Sequence, residues 1–266
     1  MTKGTVLVIG SNATRIEVQG GGSAAIGQYL NETVVPTMAL IDAGYEIVLA
    51  TPNGTKMHID EASDSAQHFG GDETAHAQAR AFYADAPSMN QVRTLRSVID
   101  GGLGGYAGVF VPGGHAPVVD LMQDDDMGAI LRHFHEAGKP TALLCHGPVA
   151  LAAAMPRAAE YRAALVAGET EKAAVIAKGW PYAGYRATVF SISEEKWAEA
   201  NLFHARLPFY MPDALQLAGA EVSSNPNDWA PNVVVDRELI TGQNMASDHP
   251  LATTLIEALD RSLAVR

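Results

Sequence analysis

The sequence predicts an α/β protein: a doubly wound, mostly parallel sheet with helices on both faces and a small inserted cap. Three observations carry that expectation. Short runs of aliphatic, β-branched residues without polar alternation recur along the chain, which marks strands buried on both faces. Segments of helical apolar periodicity separate them, so strand and helix alternate. The residues just after the runs are rich in Gly, Ser, Pro and His, and in such sheets ligands bind beyond the carboxyl ends of the strands.

Taken in order, Thr5-Val6-Leu7-Val8-Ile9 is the first strand. Residues 11–23 form a loop that contains Gly20-Gly21-Gly22. Ile26, Leu30, Val34, Met38 and Ile41 then recur at helical spacing and stop at Gly44. Residues 45–50 are a second strand, closed by Thr51-Pro52-Asn53-Gly54, which completes a βαβ unit. Residues 55–90 break the rhythm. They are polar, rich in Asp, His and Ala, without an evident strand, and read as a partly helical inserted cap. Strands follow at 108–112, 141–144 and 187–190, with helices at 127–137, 147–155 and 193–203. Residues 233–235 and 239–241, joined by Asp236-Arg237-Glu238, predict a late hairpin, and 252–263 an amphipathic closing helix. Residues 1–266 are expected to form a single domain with the cap inside it.

With 266 residues, 47% hydrophobic and 18% charged, the chain can fill a substantial core. A formal net charge of −12 without a Lys/Arg cluster argues against nucleic acid and against anionic membrane surfaces. The single cysteine cannot form an internal disulfide, no apolar stretch reaches bilayer length, and residues 1–10 are too short for a signal peptide. A cytoplasmic protein is expected.

The chemistry centres on Leu143-Leu144-Cys145-His146-Gly147-Pro148, which puts a thiol where a buried strand turns sharply into a helix. A side chain on such an elbow is exposed at the top of the sheet, and the helix N-terminus favours thiolate. Free cysteines also serve as small buried hydrophobes; His146 and Gly147 favour the reactive reading. A second strand ends in Val111-Pro112-Gly113-Gly114-His115. Bare backbone at Gly113 and Gly114 can aim N–H groups at a developing oxyanion, with the His146 N–H as a further donor. The alternative is a plain glycine turn.

The Gly113-Gly114-His115 turn, the Cys145-His146-Gly147-Pro148 elbow and Thr241-Gly242-Gln243-Asn244 resemble the ThiJ/PfpI superfamily, which has the class I glutamine amidotransferase-like fold. The resemblance runs from Val6 to the C-terminal helix. The length with a cap, Val189-Phe190-Ser191-Ile192-Ser193-Glu194-Glu195-Lys196 and Tyr210-Met211-Pro212 resemble its branch of heat-inducible chaperones and glutathione-independent glyoxalases (glyoxalase III). The resemblance implies Cys145 as nucleophile, His146 as its proton partner and an acid that falls by spacing on Glu195, with Glu194 as competitor. It places Gly113, Gly114 and His115 at the substrate. It also implies a glutamate from the first helix, and Asn31-Glu32-Thr33-Val34-Val35-Pro36 assigns that role to Glu32. Read from the residues alone, a helical wheel sets Glu32 opposite the apolar stripe, as a solvated carboxylate. Pro36 gives no N–H to the Glu32 carbonyl, so a kink is expected there.

The implied activity is conversion of an α-oxoaldehyde such as methylglyoxal or glyoxal to lactate or glycolate through a Cys145 hemithioacetal. No external cofactor is needed, and a homodimer is expected. A holding chaperone or oxidation sensor, and a cysteine-dependent amidase, peptidase or hydratase, are the alternatives. Some members of the branch carry a metal on a histidine of the first helix; residues 39–44 contain none, and no such site is predicted. His58, His68 and His76 match no zinc spacing, and His135-Glu136 lacks the second histidine of a metalloprotease helix. Gly102-Leu103-Gly104-Gly105 precedes a strand instead of following one, so it is no dinucleotide fingerprint. His249-Pro250-Leu251 lacks the Glu of amidotransferases, which argues against amidotransfer.

Overall fold

The computed structural model describes residues 2–264. Its strands are β1 (Gly4–Ile9), β2 (Arg15–Glu17), β3 (Ser23–Ala25), β4 (Tyr45–Thr51), β5 (Val92–Thr94), β6 (Tyr106–Val111), β7 (Thr141–Leu144), β8 (Arg186–Ala187), β9 (Glu221–Val222), β10 (Val233–Asp236) and β11 (Leu239–Gly242). Seven of them form one sheet in the order β10-β11-β7-β6-β1-β4-β5. Every pairing in it is parallel except the β10–β11 hairpin. This is the mostly parallel sheet expected from the uninterrupted apolar runs.

Alternation along each strand feeds two cores. Leu7, Ile9, Val109, Val111 and Leu143 face the side that holds the helix Asp125–Glu136. Val6, Val8, Phe110, Ala142 and Leu144 face the other, where Leu251, Leu255 and Leu259 of the closing helix Asp248–Ala264 pack. Burial on both faces explains why β1, β6 and β7 show no polar alternation.

The departures from the sequence expectations that bear on the sheet and the elbow are these. The 11–23 loop contains the start of a small hairpin, β2 with β3, turned by Gly20, Gly21 and Gly22, all at positive φ. β5 is an unforeseen edge strand. Residues 188–190 are buried but do not join the sheet: the Thr188 N–H goes to the Thr241 hydroxyl and the Phe190 N–H to the Cys145 carbonyl, so side chain and elbow take the bonds a ladder would use. Only Arg186 and Ala187 pair, in a separate ribbon with β9. Finally, the segment after the elbow, Gly147–Ala154, winds as a 3-10 helix.

The cap residues 55–90 hold short helical turns and the helix Glu73–Asp85, anchored at their base by a bridge between Gln28 and Ile59. That helix lies on the first helix, Leu30–Asp42. The first helix is therefore covered on two sides, by the sheet and by the cap. No described helix is long and apolar enough to cross a membrane.

Candidate active site

Cys145 follows β7 directly and adopts φ 59°, the left-handed region that a non-glycine residue occupies only under constraint. Its backbone is held from two directions. The Cys145 N–H donates to the Gly242 carbonyl at 2.8 Å, and its carbonyl accepts from the Phe190 N–H at 2.9 Å. Gly242 belongs to the Thr241-Gly242-Gln243-Asn244 motif, so the motif's place in the site is structural: it braces the elbow.

The thiol lies 3.3 Å from His146 Nδ1. His146 Nε2 lies 2.7 Å from Glu195 Oε2, and His115 Nε2 lies 2.8 Å from Glu195 Oε1. All four residues are buried. An ionised carboxylate only accepts, so both histidines present Nε2–H to Glu195, which leaves His146 Nδ1 as an acceptor for the thiol proton. Burial and then the neighbouring His115 hold His146 down at about 4, so it rests neutral. Burial alone would raise Glu195, but the two histidines outweigh it and hold this carboxyl well below the usual range.

Glu194 does not compete for this place. Ser191 caps the helix Ile192–Ala198, and Glu194 closes the capping box, donating its N–H to the Ser191 hydroxyl and accepting the Ser191 N–H. Its carboxylate also accepts from the Trp229 N–H, Asn244 Nδ2 and Gln243 Nε2, at 2.8, 2.7 and 3.1 Å. Successive side chains on a helix diverge by roughly 100°, so one glutamate serves the cap while the next reaches the histidines.

Glu32 is fully buried, against the helical-wheel expectation of a solvated carboxylate. A wheel assumes one dry face, and this helix has two: Asn31, Thr33 and Thr37 are also buried. Neither Glu32 oxygen makes a conventional hydrogen bond. Burial raises this carboxyl to about 8, against the lowering influence of the adjacent Cys145 thiol and with a further push from Asp248. The thiol in turn is pushed well above 9, by burial first and then by the negative charge Glu32 would carry.

Gly113 packs against both groups. A Cβ there would fall 2.3 Å from Glu32 Oε2 and 2.4 Å from the Cys145 Cβ, so only glycine lets carboxyl and thiol meet. The Gly114 N–H faces the sulfur and works against the upward push on the thiol. The His115 side chain reaches Glu195 and packs against Phe203 and the His146 ring, with centroids 4.7 and 3.9 Å away. Phe190 covers His146 with centroids 4.5 Å apart. Sequence reasoning gave His115 no acid partner and overlooked Phe190, Asp248 and Tyr29.

Among the described residues, His115, His146 and Glu195 are also the group whose ligand atoms cluster tightly enough, within 4.8 Å, to hold a cation. Both nitrogens are already spent on the carboxylate between them. A metal on Glu195 would have to replace those two hydrogen bonds, and the set fits a proton network better than a metal.

Cys145 is only 2% exposed. A cleft of about 1050 Å³ opens between the first helix, the cap and the Trp197–Trp229 pair; Cys145 does not line it, while Tyr29 and Asp248 do.

A thiol on a strand-to-helix elbow, backed by His and Glu at the carboxyl edge of a parallel sheet, defines a cysteine-centred α/β protein of the glutamine amidotransferase-like type. The family described as DJ-1/PfpI matches residues 27–164, and the chain belongs to that family. It is 29% identical over 217 residues to the Bos taurus protein named glutamine amidotransferase-like class 1 domain-containing protein 1, covering 82% of each. It is 27% identical over 256 residues to the Staphylococcus aureus protein/nucleic acid deglycase HchA, covering 94% of this chain and 76% of that one. The crystal structure of glyoxalase III from Candida albicans superimposes with a TM-score of 0.73 at 18% identity, over 96% of this chain and 97% of the other.

Proposed function

We propose that this protein is a glyoxalase- or deglycase-type enzyme that turns over α-oxoaldehydes through a covalent adduct on Cys145. The observation that carries the reading is the pairing of Cys145 with Glu32: a thiol and a carboxyl, both buried, both pushed toward their neutral forms and both crowded against Gly113. The names of the HchA relative and of the Candida fold neighbour point to the same chemistry.

The Cys145 sulfur attacks the aldehyde carbon of methylglyoxal. A C–S bond forms, the C=O π bond breaks, and the thiol proton passes through His146 Nδ1 to the new oxygen, giving a hemithioacetal. Glu195 stabilises the imidazolium that forms in passing, through His146 Nε2–H. His146 then takes the proton from the former aldehyde carbon while the protonated Glu32 gives its own to the neighbouring carbonyl oxygen, and an enediol forms. His146 returns its proton to the neighbouring carbon and the hydroxyl proton of the sulfur-bearing carbon passes back to Glu32, which leaves a thioester, and water releases lactate and the thiol. One carbon is oxidised and the other reduced, so the balance needs only water. A carboxyl that titrates near 8 suits this task, because it can both give and take a proton at neutral pH.

The test is lactate formation from methylglyoxal without glutathione, together with intact-mass detection of the adduct. Cys145→Ala and Glu32→Gln should both abolish turnover, with the adduct still formed in Glu32→Gln. Full activity in the alanine variant removes the proposal.

A further inference from the structure

The cleft is far larger than a three-carbon aldehyde requires, since ligand cavities on the order of several hundred Å³ already hold drug-sized molecules. Its walls are apolar over most of their extent, with Val35, Met38, Phe69, Trp197, Leu202 and Trp229 prominent. Its charged or titratable side chains are Asp42, His68, Asp248 and His249, and neither Lys nor Arg lines it. Burial holds His68 below its ordinary value and raises the Asp248 carboxyl, and the acids Asp42 and Asp248 meet no Lys or Arg in the cleft wall. Trp197 and Trp229 stand 5.3 Å apart, edge to face, at the rim, with 48% and 37% of their surfaces exposed. Such wide apolar exposure in a chain of this charge marks a surface that takes a ligand.

Tyr29 belongs both to the cleft wall and to the surroundings of the thiol. This residue lines the cleft, and its N–H bonds the Gly113 carbonyl at 3.2 Å, on the glycine that touches both Glu32 and Cys145. It also immediately precedes the helix that carries Glu32. Burial and then the acids around it, Cys145 and Glu32 among them, push its phenol above the ordinary range. On the cleft side His68 meets the Tyr29 ring edge-on, with centroids 5.4 Å apart.

We propose that this cleft is the antechamber of Cys145, that it admits α-oxoaldehydes carrying an apolar body and no negative charge, and that Tyr29 is the side chain between the two. The identity of the reacting group rests on the proposed function, while the selectivity of the cleft is testable without it. An anionic carrier meets two carboxylates and no cation, whereas an aryl or alkyl body gains the apolar wall.

The probes are three α-halo ketones: bromoacetone, phenacyl bromide and 4-carboxyphenacyl bromide. Modification of the only cysteine is followed by intact mass, and each rate is divided by that with free cysteine. Phenacyl bromide should modify Cys145 at least about ten-fold faster than bromoacetone, as burial of several carbons predicts. The carboxylated probe should fall at least about ten-fold below phenacyl bromide, and Ala39→Lys in the cleft wall should recover most of that loss. Tyr29→Ala should speed all three. Equal normalised rates for the three probes, or a carboxylated probe as fast as the neutral one, overturn the inference even if methylglyoxal is turned over. The expected ranking without any turnover of aldehydes refutes the enzymatic reading and leaves the cleft assignment standing.

Discussion

Replacing Glu32 by Gln should stabilise the protein at neutral pH while abolishing its turnover, and the size of the gain follows from the site. The Glu32 carboxyl is raised from 4.5 to about 8 by burial. Between those two values the native state binds a proton that the unfolded chain has released, so the slope of stability against pH is negative. The loss begins above pH 4.5, grows by about 1.4 kcal/mol per pH unit and levels off past pH 8. At pH 7 the wild type has thereby lost about 3 kcal/mol relative to a form that keeps Glu32 neutral. Glutamine is close in shape to the protonated acid and does not titrate, so the difference between the two proteins isolates this one group. Urea unfolding at pH 5 and pH 7 measures it: the two midpoints should nearly coincide at pH 5 and separate in favour of Glu32→Gln at pH 7, at unchanged m. A stability difference independent of pH between 5 and 8 would mean that Glu32 titrates normally, and the neutral thiol–carboxyl pair would have to be abandoned.

Three further outcomes follow from the same geometry. Gly113→Ala forces a methyl group to within 2.5 Å of Glu32, Cys145 and the Leu144 carbonyl, and should cost about 3 kcal/mol or more in urea unfolding together with loss of the methylglyoxal adduct. Glu195→Gln turns one of the two oxygens that accept a histidine N–H into an amide donor and should lower kcat/KM by about 10²–10⁴, whereas Glu194→Gln, at the helix cap, should lower thermal stability and spare most of the rate; the reverse pattern would exchange their roles. Iodoacetamide alkylation of Cys145 should keep rising with pH beyond 9 in the wild type, with its inflection moved lower in Glu32→Gln, because burial and the Glu32 charge both oppose thiolate.

The central strands were legible because a parallel sheet covered on both faces writes itself as unbroken aliphatic runs, and β1, β4, β6 and β7 all have them. Cys145 was legible for a local reason: strand, tight turn and Gly-Pro lie within a few residues of each other. What failed was everything set by distant neighbours. Val92-Arg93-Thr94 is too short and too polar to announce an edge strand. Residues 188–190 have strand-like composition, yet Thr241 and Cys145 capture their N–H groups. The burial of Glu32 depends on a cap that the apolar stripe of its own helix does not encode. Likewise His115 meets an acid 80 residues away, and nothing in the Gly-Gly-His turn predicts it.

Burial also decides how much charge the site can hold at rest. The Cys145 thiol, His146 and Glu32 are all displaced toward their neutral forms, and Glu195 alone is displaced toward its charged one. Burial and the Glu32 charge both oppose a standing thiolate. Oxidation of cysteine proceeds from an accessible thiolate, so the arrangement works against the oxidation-sensor alternative raised by the sequence. It suits a reaction in which proton and sulfur move together, because each step from hemithioacetal to thioester can pass without leaving a net charge on the buried sulfur. The one permanent charge is placed where it is useful, on the far side of His146, ready for the moment that ring becomes cationic. The glycine at position 113, the second histidine and the capping glutamate next to Glu195 then share one purpose: each fixes a neutral or charged partner in a place where water cannot compensate for an error of position.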